Sequence, residues 1–509
     1  MCRREFLLDK NIIQRVDIRL LAVGVSLLVS LFIGIGTILP NDDAYGYIRT
    51  AEIALSDGVR PAIEHYSWAG YSLLIALVSQ IGLDLFTAAY LINACFYGLL
   101  IYSFISIVKL FNSSRKVVFF AAICVLLYPP LNEFRFEIIR DIAMWALSIF
   151  ALWHFLLFQR SDNLGNLLVF SISLVFASFF RPEAIIYLFS IPCGLLFSKI
   201  YSRGERFRKF LLSWTISLVI LTVILLCLIA IKINVIAQLL EFISVYGAFV
   251  DNNLNPTDAS ISSLSSAIFG EYAASYSESY LTVFLTSGLF TVLIVKLFQG
   301  IGGPFFWLLL YGAITKFIPI NQNKFLPIWI FLITNIGIAF GFILMTRYLS
   351  ARYIMLFCLL LVLFVPLILN HINNALENSS YRNLGIRVVI LFFGYCAFDS
   401  FISFGASKAF LHESVEWIAT QNNSEAGLLT NNQTIAYNSG KIANYDQVKR
   451  FLSETDILNT KLNDLIAIEM DDEMADLVQR PSIEKHIRIL TAFPSINDPR
   501  LIIYQRIGL

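Results

Sequence analysis

Apolar residues fall in long runs separated by short charged turns from Leu20 to Phe404, and the pattern then changes. A helix needs roughly 20 apolar residues to cross a hydrocarbon core about 30 Å thick. On that measure Leu20–Leu39, Leu85–Val108, Val117–Tyr128, Ile142–Phe158, Leu164–Phe180, Ala184–Phe197, Phe210–Ile231, Phe305–Phe317, Phe325–Met345, Tyr353–Leu369 and Val388–Phe404 make about eleven expected transmembrane helices. Tyr71–Gly82 is short for a span and reads as an interfacial helix. Tyr280–Phe298 has the length, but Lys296 near its end and Gly300-Ile-Gly-Gly-Pro304 after it favour a helix lying on or dipping into the membrane. Beyond Phe404, Leu465–Glu469, Ile487–Thr491 and Leu501–Tyr504 have the look of strands, while Phe410–Ala419 and Glu473–Val478 carry helical periodicity. The expected fold class is an α-helical polytopic membrane protein with a small C-terminal extracytoplasmic α/β domain. Its expected parts are a cytoplasmic segment at 1–19, a transmembrane domain at 20–404 and the α/β domain at 405–509.

Composition agrees with that pattern. Charged residues make up 14% of the 509, against about 25% in a soluble protein, and the mean hydropathy is +0.72. The 44 Phe and 22 Tyr suit a bundle in lipid with aromatic anchors at its interfaces. A net charge of +1 supplies no global field toward nucleic acid. Arg3, Arg4, Lys10, Arg15 and Arg19 precede the first run, which places the N-terminus in the cytoplasm. The length of that run and its Leu39-Pro40 ending fit an uncleaved anchor. Alternation then puts the basic turns at Lys109–Lys116 and Lys199–Lys209 inside, and Asp42, Asp141, Arg181 and Arg352 outside. The seven cysteines lie in apolar runs or at the extreme N-terminus, with no disulfide framework and no zinc-ligand spacing.

Chemistry gathers at those outer turns. Pro40-Asn41-Asp42-Asp43-Ala44-Tyr45-Gly46-Tyr47 stands where the first run ends. One Asp after a break commonly caps a helix. Two adjacent carboxylates also suit a general base, which works from a partly desolvated site. Glu133, Glu137 and Asp141 are spaced four apart, so a helix would give them one acidic face with Arg140 beside it. A self-neutralising helix end is the plainer alternative. Arg181-Pro182-Glu183 turns between two apolar runs, and Arg347 and Arg352 return to the same side ahead of Tyr353. A simple Arg–Glu turn and snorkelling anchors would explain these singly. Their convergence fits a phosphate-bearing lipid, because guanidinium offers planar, bidentate contacts to phosphate. A carboxylate nearby would activate an acceptor hydroxyl or amine. His65 belongs to the same expected surface, although a lone histidine in a polar loop is more often incidental.

The acidic exit of the first span, Arg140-Asp141, Arg181-Pro-Glu-Ala184 and Ser350-Ala-Arg-Tyr353 together resemble the C-type membrane glycosyltransferases. The likeness is to bacterial relatives of the protein O-mannosyltransferases and of the lipid A aminoarabinose transferase, over roughly residues 20 to 400. It implies an inverting sugar transfer from a polyprenyl-phosphate donor. Asp42 then takes the place of the base, Asp43 that of the Glu often following it, and Asp141 that of the second outer acid. Arg352 falls where the lipid phosphate is met, and Arg140, Glu137, Arg181, Glu183, Tyr353 and His65 complete the expected substrate-binding set. Glu64-His-Tyr-Ser-Trp68 lacks the basic-Pro-Pro element common in the aminoarabinose branch. Metal use varies within the superfamily; two acids on different loops could hold Mg²⁺ or Mn²⁺, and nothing in the residues demands either.

The expectation is a multi-pass glycosyltransferase of the bacterial inner membrane, acting at its outer face on a lipid, glycan or protein acceptor. A transporter or flippase would place ionisable groups near mid-span and repeat its halves. A polysaccharide polymerase or ligase would favour a large arginine-rich outer loop. A non-catalytic assembly protein would use the acids as caps and the arginines as anchors.

Overall fold

The computed structural model describes residues 16–36, 39–234, 258–317, 323–377, 379–402, 408–421 and 426–508, with isolated positions between 237 and 247. Arg3, Arg4, Lys10 and Arg15, and most residues between 235 and 257, lie outside the described residues. The chain packs as two compact units. The first comprises Met1–Phe32, Leu91–Arg135 and Arg140–Ile402; the second comprises Ile33–Tyr90, Phe136–Ile139 and Ser403–Leu509.

Among the described residues, seven helices are long and apolar enough to cross a membrane: Leu85–Phe111, Asp141–Ser161, Arg203–Ala230, Leu281–Ile301, Leu326–Thr346, Ala351–Leu376 and Arg382–Phe401. Arg115–Leu126 and Pro129–Phe136, bent by 46°, make an eighth if they form one span. The bend falls at Pro129-Pro130, which open the short second helix, where a proline ring is tolerated because the first-turn N–H has no intrahelical partner. Ile18–Gly34, Gly70–Ser79, Leu164–Ser178, Ala184–Phe197 and Gly303–Ile314 are shorter apolar helices. The stretch expected to lie along the membrane, Tyr280–Phe298, is mostly the helix Leu281–Ile301, which has the length and composition to cross.

Burial sorts these helices. Asp141–Ser161 has 78% of its apolar window inside the protein, whereas Arg203–Ala230 and Leu281–Ile301 have 11% each. Val223, Leu226, Ile229, Val283 and Phe284 stand exposed on the latter two. An apolar surface of that extent is unstable against water and suits hydrocarbon. The chain is a multi-pass membrane protein.

One charged side chain is buried within the first unit with each guanidinium nitrogen used. Arg135 donates from Nε to Asn132 Oδ1 (2.8 Å), from Nη1 to Ser30 Oγ (2.7 Å) and from Nη2 to Ser26 Oγ (3.0 Å). Its guanidinium carbon lies 4.0 Å from the Tyr97 ring centroid. Asn132 in turn donates to the Leu126 carbonyl and to Ser400 Oγ. Buried donors paired in this way avoid the penalty of an unsatisfied group.

The second unit is built on a four-stranded mixed sheet. Its strands are β1 (Leu428–Thr430), β2 (Leu465–Glu469), β3 (Ile487–Pro494) and β4 (Pro499–Arg506), in the order β1-β2-β4-β3. β1 and β2 are parallel, while β4 is antiparallel to both β2 and β3. Alternation decides which core each side chain enters. Ile466, Ile468, Ile502 and Tyr504 pack with Met474, Leu477 and Ile483. Leu465, Ala467, Leu501 and Ile503 pack on the opposite face with Phe410, Leu411 and Ile418 of the helix Ala409–Thr420. Burying each such Ile or Leu is worth about 1.5–3 kcal/mol. Leu39, just before the acidic pair, packs against that second core.

Candidate functional site

The acidic pair opens a helix, Asp42–Ser56, in the second unit. Asn41, not an aspartate, occupies the N-cap position, and its amide is used elsewhere: Oδ1 accepts from the Ile138 N–H (2.7 Å) and Nδ2 donates to the Ile138 carbonyl (3.3 Å). Asp42 and Asp43 therefore stand in the first helical turn, both exposed. Unpaired amides make that end of a helix the favoured place for negative charge. The other face is held down: Ala44, Tyr45, Tyr47, Ile48, Thr50 and Ala51 are buried. Tyr45 donates to Thr434 Oγ1 at 3.1 Å, and burial pushes its phenol up to about 12. Its ring sits 5.5 Å from that of Tyr437 and 6.1 Å from that of Phe86, centroid to centroid.

Asp42 borders two cavities. The larger, of about 360 Å³, is lined also by Asn431, Gln433, Arg450, Glu469 and Asp471. The smaller, of about 230 Å³, is lined by Asp42, Asp43, Gly46, Tyr47, Tyr66 and Gln433. Gln433 is common to both. Its Nε2 donates to the Asp446 carbonyl (3.0 Å), and its buried Oε1 has no hydrogen-bond partner among the described residues. The larger cavity lies just past the carboxyl ends of the parallel strands β1 and β2. Asn431 ties those ends together, accepting from the Glu469 N–H at 2.7 Å and donating to the Glu469 and Arg450 carbonyls. Asn432 Nδ2 donates to Glu469 Oε2 (2.7 Å), which fixes that carboxylate in place.

A different cluster lies in the first unit. Arg181, on the turn between Leu164–Ser178 and Ala184–Phe197, donates from Nη1 to Asp141 Oδ1 and from Nε to Glu183 Oε1 (2.6 Å). Burial works against the guanidinium's charge, but Asp141 and Glu183 outweigh it and hold its pKa well above the ordinary range. The Asp141 side chain is 2% exposed and that of Arg181 12%. The Tyr353 ring takes the guanidinium carbons of Arg181 at 4.4 Å and Arg352 at 5.4 Å from its centroid, a cation–π arrangement on both. Asp141, Arg181, Glu183, Arg352 and Tyr353 are thus brought together from three separate stretches of chain.

Other expected residues are placed differently. The single acidic face of Glu133, Glu137 and Asp141 does not form, because the helix Pro129–Glu133 passes into a 3₁₀ turn at Phe134–Phe136 and residues 137–140 are not helical. A helix started by two prolines is only five residues long, and the next begins at Asp141. Arg140 occupies the N-cap position of that next helix, and Glu137 falls in the non-helical link. His65 ends the helix Val59–His65 and places Nε2 2.7 Å from Asp446 Oδ2, a tether within the second unit. It is not among the residues lining either Asp42 cavity. The residues that sequence reasoning missed are Gln433, Arg450, Glu469 and Asp471. Their available signal was a polar turn after each of two parallel strands, the usual edge of a ligand crevice.

Among the described residues, no three His, Cys, Asp or Glu side chains are grouped so as to hold a metal ion. Asp42 and Asp43 are neighbours on one exposed turn and Asp141 is engaged by Arg181. Mg²⁺ is commonly held by one or two carboxylates together with substrate phosphate and water; the steps below are derived from this chain's own residues.

No family model matches the sequence, and no curated protein matches it. Solved structures do match. The archaeal oligosaccharyltransferase AglB from Archaeoglobus fulgidus, determined with an inhibitory peptide and a dolichol-phosphate, aligns with a TM-score of 0.51 at 13% identity. That alignment covers 89% of this chain and 69% of AglB. ArnT from Cupriavidus metallidurans, in the apo state, aligns over 95% of this chain and 97% of its own, with a TM-score of 0.43 and 12% identity. Many helices in the membrane, a small C-terminal mixed sheet and the AglB match together give the chain a fold of the C-type membrane glycosyltransferase kind.

Proposed function

We propose that the protein is an inverting glycosyltransferase that moves a sugar from a polyprenyl-phosphate donor to an acceptor hydroxyl or amine. The observation that carries this reading is Asp42. It is an exposed carboxylate at a rigidly held helix start, bordering two cavities, in a chain with a C-type glycosyltransferase fold. In the proposed step Asp42 Oδ takes the acceptor proton. The freed acceptor atom attacks the anomeric carbon, the bond from that carbon to the phosphate oxygen breaks, and polyprenyl phosphate leaves with the electron pair. Attack opposite the leaving group inverts the anomeric centre.

Arg181 and Arg352 are the proposed partners of the lipid phosphate. Arg181 is held in one orientation by Asp141 and Glu183, and both guanidiniums flank Tyr353, so little conformational entropy is lost on meeting an anion. Asp141 is then a positioning residue, acting through Arg181. Asp43 supports Asp42 at the helix start. That AglB was determined with a dolichol-phosphate and a peptide supports a lipid-linked donor and an acceptor of some kind. The basic turns at Lys109–Lys116 and Lys199–Lys209 support a cytoplasmic N-terminus and an outward-facing Asp42; the proposed location is a bacterial inner membrane.

The test is transfer by purified protein from radiolabelled polyprenyl-phosphate sugars to a membrane extract, comparing wild type with Asp42→Asn. Label should move only with the wild type. Equal transfer by both would remove Asp42 from the mechanism.

A further inference from the structure

We infer that the larger cavity beside Asp42 is the acceptor subsite and that it takes a neutral saccharide, a polyol presented without phosphate or carboxylate. The inference rests on the glycosyltransferase reading and adds the chemical class of the acceptor. At about 360 Å³ the cavity is within the range of small-molecule sites, about 300–1,000 Å³. It sits past the carboxyl ends of two parallel strands, where open α/β sheets place their ligands.

The lining sets the chemistry. Asp42, Glu469 and Asp471 contribute three carboxylates against the one guanidinium of Arg450. A phosphorylated or carboxylated acceptor would meet net negative charge and be disfavoured. Hydroxyls are suited instead, since they can donate to carboxylates and amide oxygens and accept from a guanidinium. Gln433 Oε1 is a buried acceptor with no partner among the described residues, and Asn432 holds Glu469 in place through Oε2. An unpaired buried acceptor is costly unless a ligand donor completes it. The apolar members of the lining, Val448 and Met470, include no aromatic platform, so recognition falls to hydrogen bonds.

The experiment is saturation-transfer NMR and competition binding on the full chain in detergent, without lipid donor, using methyl glucoside, glucosamine and glucuronate. Wild type should bind methyl glucoside at least tenfold more tightly than glucuronate. Val448→Trp, which fills the cavity, should abolish methyl glucoside binding. Arg450→Ala, at an exposed position, should weaken it at least threefold. Glucuronate binding as tightly as methyl glucoside, or methyl glucoside binding untouched in both variants, would overturn the assignment. Because no donor is present, this result stands apart from the Asp42→Asn transfer test: a protein that transfers sugar yet fails here keeps its activity and loses this acceptor class.

Discussion

The Tyr45 hydroxyl donates to Thr434 across 389 residues of sequence, and through that bond the helix bearing Asp42 is fastened beside β1. Tyr45→Phe keeps the ring among Phe86, Tyr437 and Tyr445 and removes one buried hydrogen bond. The expected loss is about 0.5–1.5 kcal/mol, because Thr434 keeps a hydroxyl able to turn elsewhere. Tyr45→Ala should lose about 3–5 kcal/mol, as for other large buried aromatics. Thermal denaturation of the two variants in detergent, side by side, checks the ordering.

Asp42 and Asp43 share the first turn but not their surroundings, since Asp42 borders both cavities and Asp43 only the smaller. Removing a general base typically lowers turnover by about 10²–10⁴-fold. Asp42→Asn should fall in that range, and Asp43→Asn should retain at least a tenth of wild-type turnover. Steady-state rates at saturating donor decide the point; equal losses would mean that the pair acts as a unit.

The Arg181–Asp141 pair should behave as buried ion pairs do. Arg181→Gln leaves the Asp141 and Glu183 carboxylates uncompensated and should destabilise by about 3–5 kcal/mol, whereas Asp141→Asn, which leaves Arg181 paired with Glu183, should cost less. The double variant should lose less than the sum of the two, with a coupling of about 0.5–3 kcal/mol measured in a thermal double-mutant cycle. Arg352→Ala, by contrast, should raise the donor KM with little change in melting temperature.

Acid should loosen the segment that presents Arg450. Asp456 accepts from Lys449 Nζ (2.9 Å) and from the Ser453 N–H and hydroxyl, which hold its carboxyl at about 2, below the ordinary 3.8. A carboxyl depressed by folding contributes stability above its unfolded pKa and loses it as pH falls through the folded one. Wild type should therefore exceed Asp456→Asn in stability at pH 5 by up to about 1 kcal/mol, as for an exposed pair. The difference should close between pH 4 and 2. Melting temperatures recorded across that interval test the direction.

What could be read in advance followed the length of the pattern. Asp141–Ser161 and Arg203–Ala230 announce themselves because their apolar runs are long. β2 is bounded as its short apolar string implies, with Ile466 and Ile468 entering one core and Leu465 and Ala467 the other. β1 has three residues, too few to show a period. The helix Asp42–Ser56 was hidden because its buried face is mostly Ala, Tyr and Thr, with Ile48 its one aliphatic branched residue, among charged residues. Of the candidate chemistry, Asp141, Arg181, Glu183, Arg352 and Tyr353 were marked by charge beside apolar runs and do meet. Gln433, Arg450 and Glu469 carry no such mark. They acquire meaning only when β1 and β2 pair and bring their carboxyl ends to Asp42.

The second unit takes its parts from both ends of the chain, and this has a consequence for synthesis. At about 5–20 residues per second, Thr434 leaves the ribosome roughly 20 to 80 s after Tyr45, given the 389 positions between them. Throughout that interval the acidic helix start exists without the sheet that completes its larger cavity. A nascent chain halted anywhere in the intervening helices carries Asp42 but not Gln433, Arg450 or Glu469. The later segment thus arms the earlier one, so that an interrupted product is a membrane protein without an acceptor pocket.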